Sequence, residues 1–275
     1  MSTSSVPGGI RRENRAHLEA LHRRMVGAFD ADEAAEALGM DPAGASRLLG
    51  YLARRGWLSR VRRGVYVAVP LDARRSGEWI EDPWVVAERV FAPCYIGGWS
   101  ACEHWDFTEQ VFRAVLVVTA KRVRERDVEM QGLAFHLTVR PESAHFGTVA
   151  AWRGQTRVAV SDPSRTIVDM LDDPRLGGGI RTVADVLREY LTSTHRDDKL
   201  LVAYGDRVGN RAVFKRLGYL IEWLGADAGE LLSACRDRRS AGLVKLDPAV
   251  KTPGRIVRRW GLRVNAALGP GGQPS

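Results

Sequence analysis

Apolar residues recur at helical spacing from early in the chain. Leu18, Leu21, His22 and Met25 fall at i, i+3, i+4 and i+7 within residues 13–27, one stripe of an amphipathic helix that faces a core. Asp30 with Glu33 three positions on has the spacing of a capping box, which predicts a short Ala-rich helix through Leu38 that stops at Gly39. Asp41-Pro42 then offers an N-cap and a proline at the first helical position, so a third helix is expected to run to Arg55 and end at Gly56. Ala45, Leu48, Leu49 and Leu52 form its inward stripe, while Arg47, Tyr51 and Arg54 share a different side. Two short helices joined through Gly39 have the helix-turn-helix arrangement, whose second member is the one offered to the DNA major groove. Between Trp57 and Val69, two β-branched runs flank Arg62-Arg63-Gly64, a hairpin signal that would make a wing.

Downstream, the periodicity changes character. Residues 71–82, preceded by Pro70 and holding Asp72, Arg74, Arg75 and Gly77, are polar and punctuated, as in a linker. Pro83 to Phe91 predicts a helix, Cys94 to Ile96 a short strand, and Gly97 to Trp105 a sharp turn into another helix. Phe112 to Thr119, Leu133 to Val139 and Arg157 to Val160 read as strands, and Asp162-Pro-Ser opens a helix over Ile167, Val168 and Leu171. Beyond Gly177-Gly-Gly179 the pattern is helical over Val183 to Leu191, Asn210 to Leu224 and Ala228 to Cys235. Ile256, Val257, Trp260 and Val264 also sit at helical spacing, predicting a docked amphipathic helix near the end. The expected class is therefore α+β: an N-terminal winged helix-turn-helix, a mixed α/β module, and a mostly helical C-terminal part. The corresponding spans are 1–70, a linker at 71–82, 83–175, 176–265, and a flexible tail at 266–275.

Composition sharpens this picture through charge. The 275 residues are 45% hydrophobic and 27% charged, which suits one large or two modest globular domains and argues against disorder. The formal net charge is +8, carried by 36 Arg against 5 Lys. Residues 1–70 hold 11 Arg and 7 acids, residues 71–247 hold 25 bases and 26 acids, and residues 248–275 hold 5 bases and no acid. The excess thus lies at the two ends, and five arginines with no acid between Arg54 and Arg63 would offer one positive strip to a phosphate backbone. Three scattered cysteines, Cys94, Cys102 and Cys235, fit a reducing compartment better than a disulfide framework. With no long apolar span and no basic-then-apolar leader pattern, the expectation is a soluble cytoplasmic protein with no membrane partner.

Catalytic and metal-binding patterns are weak. Ser100 in Gly98-Trp-Ser-Ala-Cys102 lacks the second glycine of a nucleophile elbow, and a helix N-cap explains it better. Cys94, Cys102, Glu103 and His104 do not have zinc-site spacing, so buried thiols and a partly exposed histidine are expected. His136 and His145 flank a strand end with no carboxylate pattern between them. Gly177-Gly-Gly179 has neither a P-loop nor a dinucleotide context and reads as a loop. The strand Val115 to Lys121 would need a carboxylate where Thr119 stands to resemble a nuclease core. Asp162, Asp169, Asp172 and Asp173 read as helix-start and surface acids rather than a metal cluster. Neither an enzyme activity, a cofactor nor a metal is indicated.

Taken in order, four segments resemble a known family. They are Gly56-Trp-Leu-Ser-Arg-Val-Arg-Arg-Gly-Val-Tyr66, Tyr95-Ile-Gly-Gly-Trp-Ser-Ala-Cys-Glu-His-Trp-Asp-Phe-Thr108, Val158-Ala-Val-Ser-Asp-Pro-Ser-Arg-Thr-Ile-Val-Asp169 and Lys215-Arg-Leu-Gly-Tyr-Leu-Ile-Glu-Trp-Leu224. Together they resemble AbiEi, the antitoxin and transcriptional regulator of type IV (AbiE) toxin-antitoxin systems of phage defence, over about residues 13–245. The resemblance implies that residues 83–265 form an antitoxin domain that neutralises, directly or indirectly, a cognate AbiEii-like nucleotidyltransferase toxin. It also implies an N-terminal domain that binds inverted repeats in its own promoter and represses the operon, as a monomer or weak dimer paired on double-stranded DNA. Carried onto this chain, the DNA contacts fall on Ser46, Arg47, Tyr51, Arg54 and Arg55 of the recognition helix and Arg60, Arg62 and Arg63 of the wing. Lys251, Arg255, Arg258, Arg259 and Arg263 form a second candidate basic contact that the family does not explain. Two other classes fit the same residues: a stand-alone winged-helix regulator with a ligand- or protein-sensing C-terminal domain, and a nucleic-acid-processing enzyme targeted by its winged helix.

Overall fold

A computed structural model describes residues 10–70 and 80–269. Most of the linker expected at 71–82 and of the tail expected at 266–275 lies outside the described residues. The N-terminal unit comprises α1 (Arg12–Arg24), β1 (Ala28–Asp30), α2 (Ala31–Leu38), α3 (Pro42–Arg54), β2 (Leu58–Arg62) and β3 (Val65–Ala68). Then come α4 (Pro83–Phe91), β4 (Cys94–Ile96), α5 (Gly98–His104), β5 (Ala114–Thr119), β6 (Asp127–Met130), β7 (Leu133–Val139), β8 (Thr148–Arg153) and β9 (Thr156–Ser161). The C-terminal part adds α6 (Pro163–Asp172), α7 (Ile180–Thr192), α8 (Asp198–Val208), α9 (Ala212–Leu224) and α10 (Gly229–Arg238). Three short strands close it: β10 (Val244–Lys245), β11 (Arg255–Val257) and β12 (Leu262–Val264). The mixed α/β class and the N-terminal winged helix are as the sequence predicts.

At the centre is a six-stranded mixed sheet in the order β6-β7-β5-β4-β9-β8, with β5–β7 and β4–β9 parallel and the other pairs antiparallel. Its middle strands are buried on both faces, which is why β5 reads as an unbroken apolar run rather than an alternation. Successive side chains go to opposite layers. Tyr95, Leu116 and Val118 join the helical layer of α6, α7 and α9. Cys94, Ile96 and Val117 join α4 and strands of the N-terminal unit. The edge strands β6 and β8 expose half or more of their side chains; the alternation of β6 spans only four residues and β8 has none, so the sequence pattern predicts neither.

Helix α9 is the hub of the helical layer, buried from Ala212 through Ile221. That stretch includes two cations, whose burial is tolerable only because their donors are satisfied. Arg216 donates to the carbonyls of Leu171 (2.7 Å), Leu246 (3.0 Å), Asp172 (3.1 Å) and Lys245 (3.2 Å), and Lys215 donates to Gly242 O at 2.8 Å. The two side chains thereby tie the end of α6 and the C-terminal strands to one helix.

The docked amphipathic helix expected around residues 256–264 is instead a three-stranded sheet, β10-β12-β11. Two glycines account for this. Gly261 sits at φ 61°, outside the helical region, and a side chain at Gly254 would meet Val264 O at 2.0 Å, where the backbones of the hairpin approach. Of the four residues at helical spacing, Trp260 is buried while Ile256 is 51% exposed, so no single apolar face forms. Trp260 lies against Gly218 of α9, and its indole N–H donates to Glu222 Oε2 at 2.8 Å. A Cβ at Gly218 would fall 2.1 Å from the indole ring. Gly218→Ala is therefore expected to destabilise the protein by about 2 kcal/mol through overpacking, read as a lowered denaturation midpoint at unchanged m-value.

Candidate nucleic-acid interface

The helix-turn-helix is assembled from local signals that all agree. Asp30 Oδ1 accepts from the backbone N–H groups of Asp32 and Glu33 (3.1 Å each), and Glu33 Oε2 accepts from Asp30 N at 2.9 Å, completing the capping box of α2. Gly39 ends α2 in the left-handed conformation (φ 65°). Asp41 Oδ1 accepts from Gly44 N at 2.8 Å, with Pro42 in the first turn, and starts α3. Ala45, Leu49 and Leu52 are fully buried against α1 and α2, Leu48 is half-buried, and Ser46, Arg47, Arg54 and Arg55 are exposed. Tyr51 is half-buried, with the Arg55 guanidinium 5.7 Å from its ring centre.

The wing is the β2–β3 hairpin, turning through Arg63-Gly64 with Gly64 at φ 81°. A bulge between Arg60 and Arg62 leaves both arginines exposed and turns Val61 inward. A third strand, β1, pairs antiparallel with β3 and was not predicted; it is three residues long, and its last residue, Asp30, also caps α2. The hairpin is not free on its underside. Val61, Val65 and Val67 share a core with Trp84, Val86 and Phe91 of α4 and with the six-stranded sheet, whereas Leu58 and Tyr66 face the helix-turn-helix core. Gln131, at the β6–β7 turn, donates to Ser59 Oγ at 2.6 Å. Arg89 of α4 reaches both capping carboxylates of α2, lying 3.2 Å from Asp30 Oδ2 and in contact with Glu33 Oε2.

Charge pairing distinguishes the arginines of α3 and the wing from many of those in the body. In the rest of the chain Arg140, Arg165, Arg175, Arg188, Arg196, Arg211, Arg236 and Arg238 all face carboxylates. Arg47, Arg54, Arg55, Arg60, Arg62 and Arg63 have no carboxylate partner among the described residues and are all exposed. Comparison with known proteins bears on this same segment. Residues 18–69 match the family model described as transcriptional regulator, AbiEi antitoxin. The matched span runs from within α1 to the residue after β3, so the AbiEi match coincides with the winged helix. The crystal structure of the RV2827C protein from Mycobacterium tuberculosis is similar over 94% of each chain, with a TM-score of 0.64 and 18% sequence identity, a likeness of fold. No curated protein matches the sequence.

The second basic group does not extend the AbiEi-like surface. Lys251, Arg255, Arg258 and Arg259 are exposed and Arg263 is half-buried, on the small sheet that packs through Trp260 and Leu262 into the helical layer. The winged helix packs on the opposite face of the six-stranded sheet. Arg259 is also paired, 2.8 Å from Glu222 Oε2.

Other residues singled out from sequence are structural. Ser100 is not an N-cap: Gly97 holds that position, and Ser100 Oγ lies within α5 and accepts from Leu116 N at 2.9 Å. Cys94 and Cys102 are buried free thiols whose pKa values burial pushes well up, and His104 is half-buried. His136 Nδ1 lies 2.6 Å from Asp127 Oδ1, a partner on the neighbouring strand that sequence spacing did not reveal. No group of three or more metal-ligating side chains occurs among the described residues. Asp162 caps α6 as expected, accepting from Arg165 N at 2.8 Å, but Asp169 is not a surface acid. It is buried between Arg165 (2.9 Å) and the Tyr95 hydroxyl (2.9 Å), and burial raises its pKa.

If Asp41 sets the start of α3, Asp41→Ala should lower stability by about 1 kcal/mol, whereas Ser46→Ala, on the exposed face, should change it by less than about 0.5 kcal/mol. Urea denaturation of the two variants beside the parent checks the contrast.

Proposed function

We propose that the chain is an antitoxin and autorepressor. In this reading α3 lies in the major groove of double-stranded DNA at inverted repeats in its own promoter, and the wing follows the adjacent backbone. The observation that carries it is the cluster of exposed arginines on α3 and the β2–β3 hairpin, Arg47, Arg54, Arg55, Arg60, Arg62 and Arg63, none of which has a carboxylate partner among the described residues. Exposed, unneutralised guanidinium groups suit phosphate oxygens, which accept bidentate hydrogen bonds, and their contact releases counterions condensed on the DNA. Arg47, in the first half of α3, is assigned to base edges with Ser46 beside it. Arg54, Arg55, Arg60, Arg62 and Arg63 are assigned to phosphates, and Tyr51 packs between the two groups. The described residues beyond 80 supply the surface that neutralises a nucleotidyltransferase-like toxin, an assignment supported by the AbiEi match of the N-terminal segment. No helix among the described residues is long and apolar enough to cross a membrane.

Replacing Arg62 and Arg63 together with Ala should weaken binding to all DNA sequences and reduce the slope of log K against log salt by about 2, one unit per lost phosphate contact. Arg47→Ala should cost about 1–3 kcal/mol on the operator and far less on random DNA. Fluorescence anisotropy over a salt series measures both, and a footprint over the upstream region locates the operator. An unaltered salt slope in the wing variant would remove the wing from the interface.

For the second activity, co-expression of the full chain with an adjacent nucleotidyltransferase-like reading frame should relieve that product's growth arrest. Persistent arrest would leave a repressor without antitoxic function.

A further inference from the structure

A cavity of about 420 Å³ opens between the loop that follows β7, helix α6 and the end of α8, on the side of the sheet away from the wing. Its size is that of a small-molecule site. Its floor is Arg165, whose side chain is 3% exposed. All of the side-chain hydrogen bonds of Arg165 come from one nitrogen: Nη2 contacts Asp169 Oδ1 at 2.9 Å and donates to the Tyr95 hydroxyl at 3.2 Å. Its Nε and Nη1 are buried and have no hydrogen-bond partner. Desolvated donors left without acceptors are costly, and when they cluster beneath a cavity they call for an explanation.

The carboxylates present do not meet this demand, because their oxygens are already engaged. Asp169 receives Arg165 on Oδ1 and the Tyr95 hydroxyl on Oδ2. Asp172 receives Arg140 on Oδ2 (2.7 Å) and Asn210 on Oδ1 (2.6 Å). Arg207, at the rim, has its guanidinium carbon 3.9 Å from the ring centre of Phe146, the same distance as that of Arg165, and has no carboxylate partner among the described residues. Three guanidinium groups from three separate elements therefore border one cavity with donor capacity to spare. A planar carboxylate is matched by a single guanidinium fork, whereas a tetrahedral anion with several acceptor oxygens uses donors arriving from different directions.

We propose that this cavity binds a small phosphate-bearing molecule, its phosphoryl group held by Arg207, Arg165 and Arg140 and the remainder of the ligand lying against Ala144 and Val208. The site is separate from the DNA surface and stands whether or not the winged helix binds DNA.

The test uses the full chain carrying Arg60→Ala, Arg62→Ala and Arg63→Ala, which removes the arginines of the wing from any anion binding. Inorganic phosphate and pyrophosphate are titrated at constant ionic strength, balanced with chloride, and followed by calorimetry. Saturable binding is expected, tighter for pyrophosphate. Adding Arg207→Ala, an exposed position, should weaken it at least tenfold while the ligand-free protein still unfolds in one cooperative transition. Arg259→Ala, on the C-terminal basic sheet, should leave it unaffected. Absence of saturation, equal binding by the Arg207 variant, loss of binding in the Arg259 variant, or acetate binding as tightly as phosphate would each overturn the assignment.

Discussion

The structure depends on one short strand being wanted by two cores. In β3, Tyr66 packs into the helix-turn-helix while Val65 and Val67 pack against α4 and the six-stranded sheet. A hairpin buried on both sides cannot swing as a loose appendage. The wing tip, with Arg62, Arg63 and Gly64 exposed, projects from a base whose orientation is inherited from the sheet. Since α2 and α3 pack on the other side of the same strand, the direction of α3 is set by the body as well. The shared core thus couples local folding of some sixty residues to the geometry of the whole chain.

Charge follows the same division. A net +8 is a weak clue when arginine is the preferred base throughout, because many of those arginines are held by the fold. Arg140 and Arg196 meet carboxylates and Arg216 meets backbone carbonyls, whereas those on α3 and the wing meet no carboxylate among the described residues. Arg165 is the instructive intermediate, paired at one nitrogen and orphaned at the others. Counting charges along the sequence cannot make this distinction, since the partners of Arg140 and Arg165 are chosen by tertiary packing.

What could be read from sequence was what local chemistry determines. The capping box at Asp30 and Glu33, the N-cap at Asp41 with Pro42, and the left-handed Gly39 and Gly64 each specify a boundary within a few residues, so the winged helix was legible almost completely. Strand β1 was not, because three residues are too few to show a period and Asp30 signals the helix more strongly than the strand. Edge strands β6 and β8 escaped because half or more of each faces solvent, and helix α8 because its apolar face is narrow, with Leu201 and Gly205 its buried residues. The C-terminal misreading had the opposite cause: four apolar residues matched a 3.6-residue period by coincidence, and the glycines beside them carried the better information. Of the polar clusters, the arginine strip was visible because it is contiguous. The Tyr95–Arg165–Asp169 cluster was not, because Tyr95 lies about seventy residues before its partners.

Arg89 binds the two carboxylates that also build the capping box of α2. Side by side at one helix start, Asp30 and Glu33 would repel each other, and the guanidinium from α4 offsets that repulsion. Starting α2 and seating the N-terminal unit on the body are consequently coupled. Whatever lifts the unit away strips the countercharge from the start of α2, so separation also weakens the unit itself. A signal passing between body and unit would therefore travel at lower cost through strain at this joint than through separation of the two.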